Sequence, residues 1–187
     1  SVKDHWGKIL SNQANIDSLI KLSKDCNIII SSINIDITNS SCLDQARTEL
    51  NNIQKMIDVF NINDINIAWI EKENDINTSK MVTEELESII YFFNNNVKIN
   101  IETSRADNEI ISESKQLPDN IFFTLDIGNM TFYGQDPSFL LNKIPQKIGQ
   151  IHLKDKDKNG KSTALGNGKV NFNSFFKILK VVDFSGL

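Results

Sequence analysis

Glu102, Asp126 and His152 each close one of three successive apolar runs, VKINIE, IFFTLD and GQIH. The intervals between them are about one βα unit each, roughly 25–30 residues in an eight-unit α/β barrel. At that rhythm two carboxylates and an imidazole leave neighbouring parallel strands and point at one spot beyond the strand ends. Two hard oxygens and a borderline nitrogen suit a divalent ion such as Mn²⁺, Zn²⁺, Mg²⁺ or Co²⁺.

The rest of the chain is read for elements that deliver those residues. Residues 3–25 space Trp6, Ile9, Leu10, Ile16, Leu19, Ile20 and Leu22 as a helix does. NIIISSINI (27–35) and DINIAWI (64–70) are short and β-branched, as buried strands are. Between them, residues 42–60 place Leu43, Ala46, Leu50, Ile53, Ile57 and Phe60 on one helical face. A further helix carries Val82, Leu86, Ile89, Ile90 and Phe93, and a weakly helical stretch follows Glu102. IFFTLDIG is the fourth strand and GQIHLKD the fifth. DPSFLLNKI opens as a helix with Asp136 as N-cap and Pro137 in the first turn. A charged, glycine-punctuated loop leads to a last helix at FNSFFKILK (172–180). The order α(βα)₅ predicts one α/β domain over 1–187 with about five parallel strands near 28–35, 64–70, 97–102, 121–126 and 149–153. Five is fewer than a closed barrel needs. The flanks of 28–35 and 149–153 are therefore expected to be bare, and covered by a second copy in a homo-oligomer or by a longer chain.

Bulk properties narrow the classes. A chain of 187 residues with 40% hydrophobic and 24% charged residues suits one well-cored globular domain. A net charge of −4 supplies no basic field, which argues against nucleic acid as a partner. No apolar run is long enough for a membrane span, and no signal-like segment opens the chain, so the expected location is the cytoplasm. Cys26 and Cys42 lack a CxxC spacing and read as reduced thiols.

IFFTLDIGN, then IHLKD, then ALGNGKVNFNSFFKIL resemble the sugar phosphate isomerase/epimerase family, whose fold is a xylose-isomerase-like TIM barrel. The likeness is dense from Val97 to Leu179 and architectural before that. It implies an incomplete barrel of this type and metal ligands at Glu102, Asp126 and His152. A second glutamate, which the family carries on its last strand, has no counterpart before VVDFSGL ends. Asn129 stands where many members have a substrate-binding histidine. Asparagine still donates and accepts hydrogen bonds there, but it cannot shuttle a proton near neutral pH.

The reaction implied is proton abstraction beside a carbonyl, with a divalent ion stabilising the enediolate and Glu102 exchanging the proton. Asp155 is expected to orient His152 or a neighbouring lysine. Lys154, Lys156 and Lys158 would form a cationic rim for a sugar or sugar phosphate, with Lys154 and Lys158 touching it. Each residue also has a plain structural reading. Glu102 can simply begin a loop, Asp126 can cap a strand end, and His152 can be a core histidine. Asn129 is a turn former, and lysine runs are usually solvated. The expected function is a metal-dependent isomerase or epimerase of sugars or sugar phosphates, or a truncated relative of one. The rivals are an inosose-dehydratase-like lyase and a non-catalytic barrel that binds a polyol or a partner chain.

Overall fold

Alternating strand-forming and helix-forming runs resolve, in this computed structural model, into two compact units, Ser1–Ile99 and Asn100–Leu187. The structure describes residues 2–4, 13–36, 43–69, 86–93 and 97–187. Trp6, Ile9, Leu10, Cys42 and Val82 lie outside them.

In the first unit the elements are β1 (Val2–Asp4), α1 (Gln13–Asp25), β2 (Ser32–Asp36), α2 (Leu43–Phe60) and β3 (Asp64–Trp69), with residues 86–93 helical as α3. The strands lie in the order β1-β2-β3, and both pairings are parallel. On β2 and β3 the alternating Ile33, Ile35, Ile65 and Ile67 are buried, and so are Ser32, Asn66 and Ala68 on the opposite face. Leu50, Ile53, Met56 and Ile57 are buried at the three- and four-residue spacing expected of α2.

Two expectations are corrected in this unit. Residues 3 and 4 belong to a strand and not to the first helix, so the flank of β2 expected to be bare carries β1. The second strand begins at Ser32 and not at Asn27. Asn27 takes the left-handed conformation at φ 51°, and the Ile28 N–H donates to the Ser23 carbonyl at 2.9 Å. That closure ends α1 and commits the residues after it to a turn.

The second unit contains the end of β4 (Lys98–Thr103), then α4 (Asp107–Ser114), β5 (Ile121–Asp126), α5 (Ile127–Phe132), α6 (Pro137–Lys143) and β6 (Ile148–His152). A small antiparallel hairpin, β7 (Asp155–Lys156) and β8 (Ser162–Thr163), follows, and α7 (Phe172–Val181) comes last. The strand order is β4-β5-β6, with β5 and β6 parallel. Ile99 and Ile101 on β4, and Ile121, Phe123 and Leu125 on β5, fill one face. That alternation forces Glu102, Thr124 and Asp126 to the other face. The outer edge of β6 is not bare either. The Ile151 N–H donates to the Leu187 carbonyl at 2.8 Å, and the Leu187 N–H donates to that of Gly149 at 3.2 Å.

The fold class is the expected one, an incomplete α/β barrel of parallel strands in sequence order. Among the described residues no helix is long and apolar enough to cross a membrane.

Candidate metal centre

The site lies wholly in the second unit, at the C-terminal ends of β4, β5 and β6. Asp126 and His152 are register partners on adjacent parallel strands, so their side chains leave the sheet side by side. That alignment depends on an irregularity. Phe123 pairs with Ile148, but Thr124 pairs with Gln150, so β6 carries one extra residue, Gly149. Without that bulge Asp126 would stand opposite Ile151. Gly149 also has no room for a side chain, because a Cβ there would fall 2.0 Å from Oδ1 of Asn100. Asn100 is itself fully buried, two residues before Glu102 on β4.

Glu102, Asp126 and His152 each offer one ligand atom, and these atoms lie within 4.8 Å of one another. Asp126 is only 2% exposed. Nδ1 of His152 lies 3.1 Å from Oε2 of Glu102, yet it is buried and makes no aligned hydrogen bond. A buried ring nitrogen facing a carboxylate in this way has the geometry of two donors awaiting a shared cation. The residues present therefore fit a divalent ion.

Asn129 ties the two acids together. Its backbone N–H donates to Oδ1 of Asp126 at 2.9 Å, and its side-chain amide donates to Oε1 of Glu102 at 3.3 Å. The first bond makes Asp126 the N-cap of α5, a helix beyond those expected from the sequence. Asp126 is thus both the cap of its plain reading and a member of the acidic cluster.

The remaining candidate residues are placed as follows. Lys154 is half exposed, and its Nζ donates to Oδ2 of Asp126 at 2.6 Å. A period of two from His152 would have placed it on the His152 side, so the signal was available in the sequence. Lys158 stands exposed in the turn between β7 and β8, while Nζ of Lys156 lies 5.3 Å from the ring centre of Phe132. Asp155 does not orient His152. Its carboxylate accepts the backbone N–H groups of Lys156, Gly166, Gly168 and Val170 at 2.8–3.1 Å. Burial opposes its charge, but the four N–H groups outweigh burial and hold the carboxyl below its ordinary value. The glycine loop is fastened to this carboxylate, with Gly166 at φ 90°.

Comparison with known proteins bears on the family and the fold. Residues 10–187 match the family described as xylose isomerase-like TIM barrel. Inosose dehydratase from Bacillus cereus is 30% identical over 87 residues, 37% of this chain and 29% of that protein. A second inosose dehydratase of the same species matches to the same extent. The chain thus spans under a third of the length of these curated relatives. Among solved structures, a xylose isomerase domain protein from Planctomyces limnophilus superposes with a TM-score of 0.71 at 16% identity, covering 94% of this chain and 73% of that one. The probable 3-DHS dehydratase AsbF of Bacillus anthracis superposes at 0.68 with 15% identity, covering 91% and 73%. At such identities the structural likeness speaks for the fold.

Proposed function

The chain belongs to the xylose isomerase-like TIM barrel family, and from that premise we propose that it serves a divalent-metal-dependent enzyme acting on a sugar-like polyol. The reaction begins with removal of a proton beside a carbonyl. One observation carries this reading: the ligand atoms of Glu102, Asp126 and His152 converge, and the buried Nδ1 of His152 lacks an aligned hydrogen bond. Glu102, Asp126 and one nitrogen of His152 are the residues that hold the ion. When bound, the ion supplies Lewis-acid polarisation of the carbonyl and stabilises the negative charge that develops on its oxygen.

The chain's own residues do the rest. Glu102 takes the proton at Oε1, the oxygen that faces the amide of Asn129 and not the imidazole. Asn129 keeps that carboxylate aimed by its amide bond while its backbone N–H fixes Asp126. Asp126 and His152, locked in register, define the position of the ion relative to Glu102. The carbanionic charge generated this way has two fates. Return of the proton at the neighbouring carbon gives isomerisation, its return to the same carbon from the opposite face gives epimerisation, and loss of a β-hydroxyl gives dehydration. Kinship with inosose dehydratases in sequence favours dehydration of a cyclic polyhydroxy ketone.

The test is incubation of Mn²⁺-loaded protein with an inosose, and with a panel of ketoses and ketose phosphates, in deuterated water. We expect exchange of the carbon-bound proton, with an unsaturated ketone accumulating from the inosose. Glu102→Gln should lower exchange by about 10²-fold or more, the scale of a lost general base. Asp126→Ala should abolish Mn²⁺ retention. Tight Mn²⁺ binding with no exchange on any of these compounds would point to a barrel that binds without turnover.

A further inference from the structure

Asp126 has two carboxylate oxygens with different partners. Oδ1 accepts the Asn129 N–H at 2.9 Å and so is part of the first turn of α5. Oδ2 makes no backbone bond and is the oxygen open to a cation. The cation it meets is the ammonium of Lys154, at 2.6 Å. A carboxylate that is 2% exposed needs a compensating charge, and Lys154 supplies one.

The lysine is built to reach in and to leave. Its side chain is 47% exposed, so the ammonium has solvent to retreat into. Its backbone has no such latitude. A Cβ added at Gly128 would stand 2.8–3.0 Å from the Cβ, carbonyl carbon and carbonyl oxygen of Lys154, so α5 is packed directly on this residue. The moving part is therefore the flexible stem and its charged tip. A divalent ion and an ammonium on the same buried oxygen repel each other.

We propose that Lys154 is the resident counter-ion of the site. Its ammonium neutralises Asp126 when no divalent ion is bound and is displaced as the ion enters. The lysine thereby weakens the site for metal and sets the concentration at which it loads. This inference rests on the reading of Glu102, Asp126 and His152 as the metal centre.

The experiment measures Mn²⁺ binding alone, by titration calorimetry and by the electron paramagnetic resonance signal of free Mn²⁺, on the whole chain. Lys154→Met removes the charge and keeps the stem, and Lys154→Gln keeps a hydrogen-bond donor for Asp126 as well. Both should bind Mn²⁺ about ten- to a hundredfold more tightly, the range spanned by one charge-assisted hydrogen bond. The metal-free Lys154→Met protein should melt at a lower temperature than the metal-free wild type, and saturating Mn²⁺ should remove the deficit. Lys154→Arg retains the cation and should stay within about threefold of wild type. Suppose the neutral variants bind Mn²⁺ equally or more weakly, while the wild type binds it and Asp126→Ala does not. The inference then fails alone, because ammonium and metal share Asp126. Mn²⁺ binding by neither the wild type nor the neutral variants overturns the metal centre itself, and the inference with it.

Discussion

Asp155 and Asp107 carry carboxyls displaced in opposite directions, and each has its own consequence for stability. Four backbone N–H groups hold the Asp155 carboxyl below its ordinary value of 3.8 despite burial. A depressed folded value means that its contribution is present above the unfolded value and lost as pH falls through the folded one. Asp107 is the reverse case. Burial, helped by the nearby charge of Asp136, raises its carboxyl above 3.8, although the Asp136 N–H and the Gln135 amide oppose the rise. What it contributes is present at low pH and lost as pH rises through its folded value. Asp155→Asn should lower the melting temperature at pH 7 by roughly 5–10 °C, since its amide NH₂ would face two N–H donors from which it cannot accept. The deficit should shrink as pH falls below 3.8, where the unfolded carboxyl takes up its proton before the folded one does. Asp107→Asn should melt no lower than wild type at pH 7. Melting curves from pH 3 to 8 check both, and an Asp155→Asn deficit independent of pH would show that packing, and not charge, fastens the glycine loop.

At the scale of the elements, the bulge at Gly149 decides whether β5 and β6 present their functional side chains together. Gly149→Ala puts a methyl group where Oδ1 of Asn100 lies. Either Asn100 moves, with β4 and Glu102 attached to it, or β6 shifts its register against β5. We expect a loss of about 1–3 kcal/mol of stability from overpacking and weaker Mn²⁺ binding, although no ligand has been altered. Denaturant unfolding and Mn²⁺ titration of this variant test the point, and unchanged metal affinity would mean that the bulge tolerates a side chain. The strands around this bulge were legible in the sequence, because alternation in VKINIE and IFFTLD leaves few alternatives once one face must be apolar. The positions of Glu102, Asp126 and His152 at strand ends followed from the same alternation. The bulge itself was not legible, since a glycine at the start of a strand looks like any other strand boundary. Nor was α5: Ile127 continues the apolar run of β5, and Gly128 and Asn129 read as a turn. The bonds of Asp155 join residues up to fifteen positions apart, and nothing local in KDKDKNGKSTALGNGKV announces them.

For the molecule as a whole, the exposed edge of a parallel sheet is the main hazard that a partial barrel presents. Both expected weak points carry cover from within this chain, β1 along β2 and Leu187 along β6. The two bonds of Leu187 flank Gln150, one to the carbonyl before it and one from the N–H after it, which is the pattern of a parallel strand. Ending the chain at Asp183 would remove both bonds and leave the Gly149 carbonyl and the Ile151 N–H facing solvent. Each such bond contributes about 0.5–1.5 kcal/mol net, so a loss of about 1–3 kcal/mol is expected. Amide exchange at Ile151 should accelerate by about ten- to a hundredfold, and association at high protein concentration should increase as the edge opens to a second copy. Glu102, Asp126 and His152 keep their strands and their register in this variant, so Mn²⁺ affinity should stay within about threefold of the full chain. If metal affinity instead falls with the edge bonds, then β6 needs its outer neighbour to hold His152 in place, and the site extends one strand further than β4, β5 and β6.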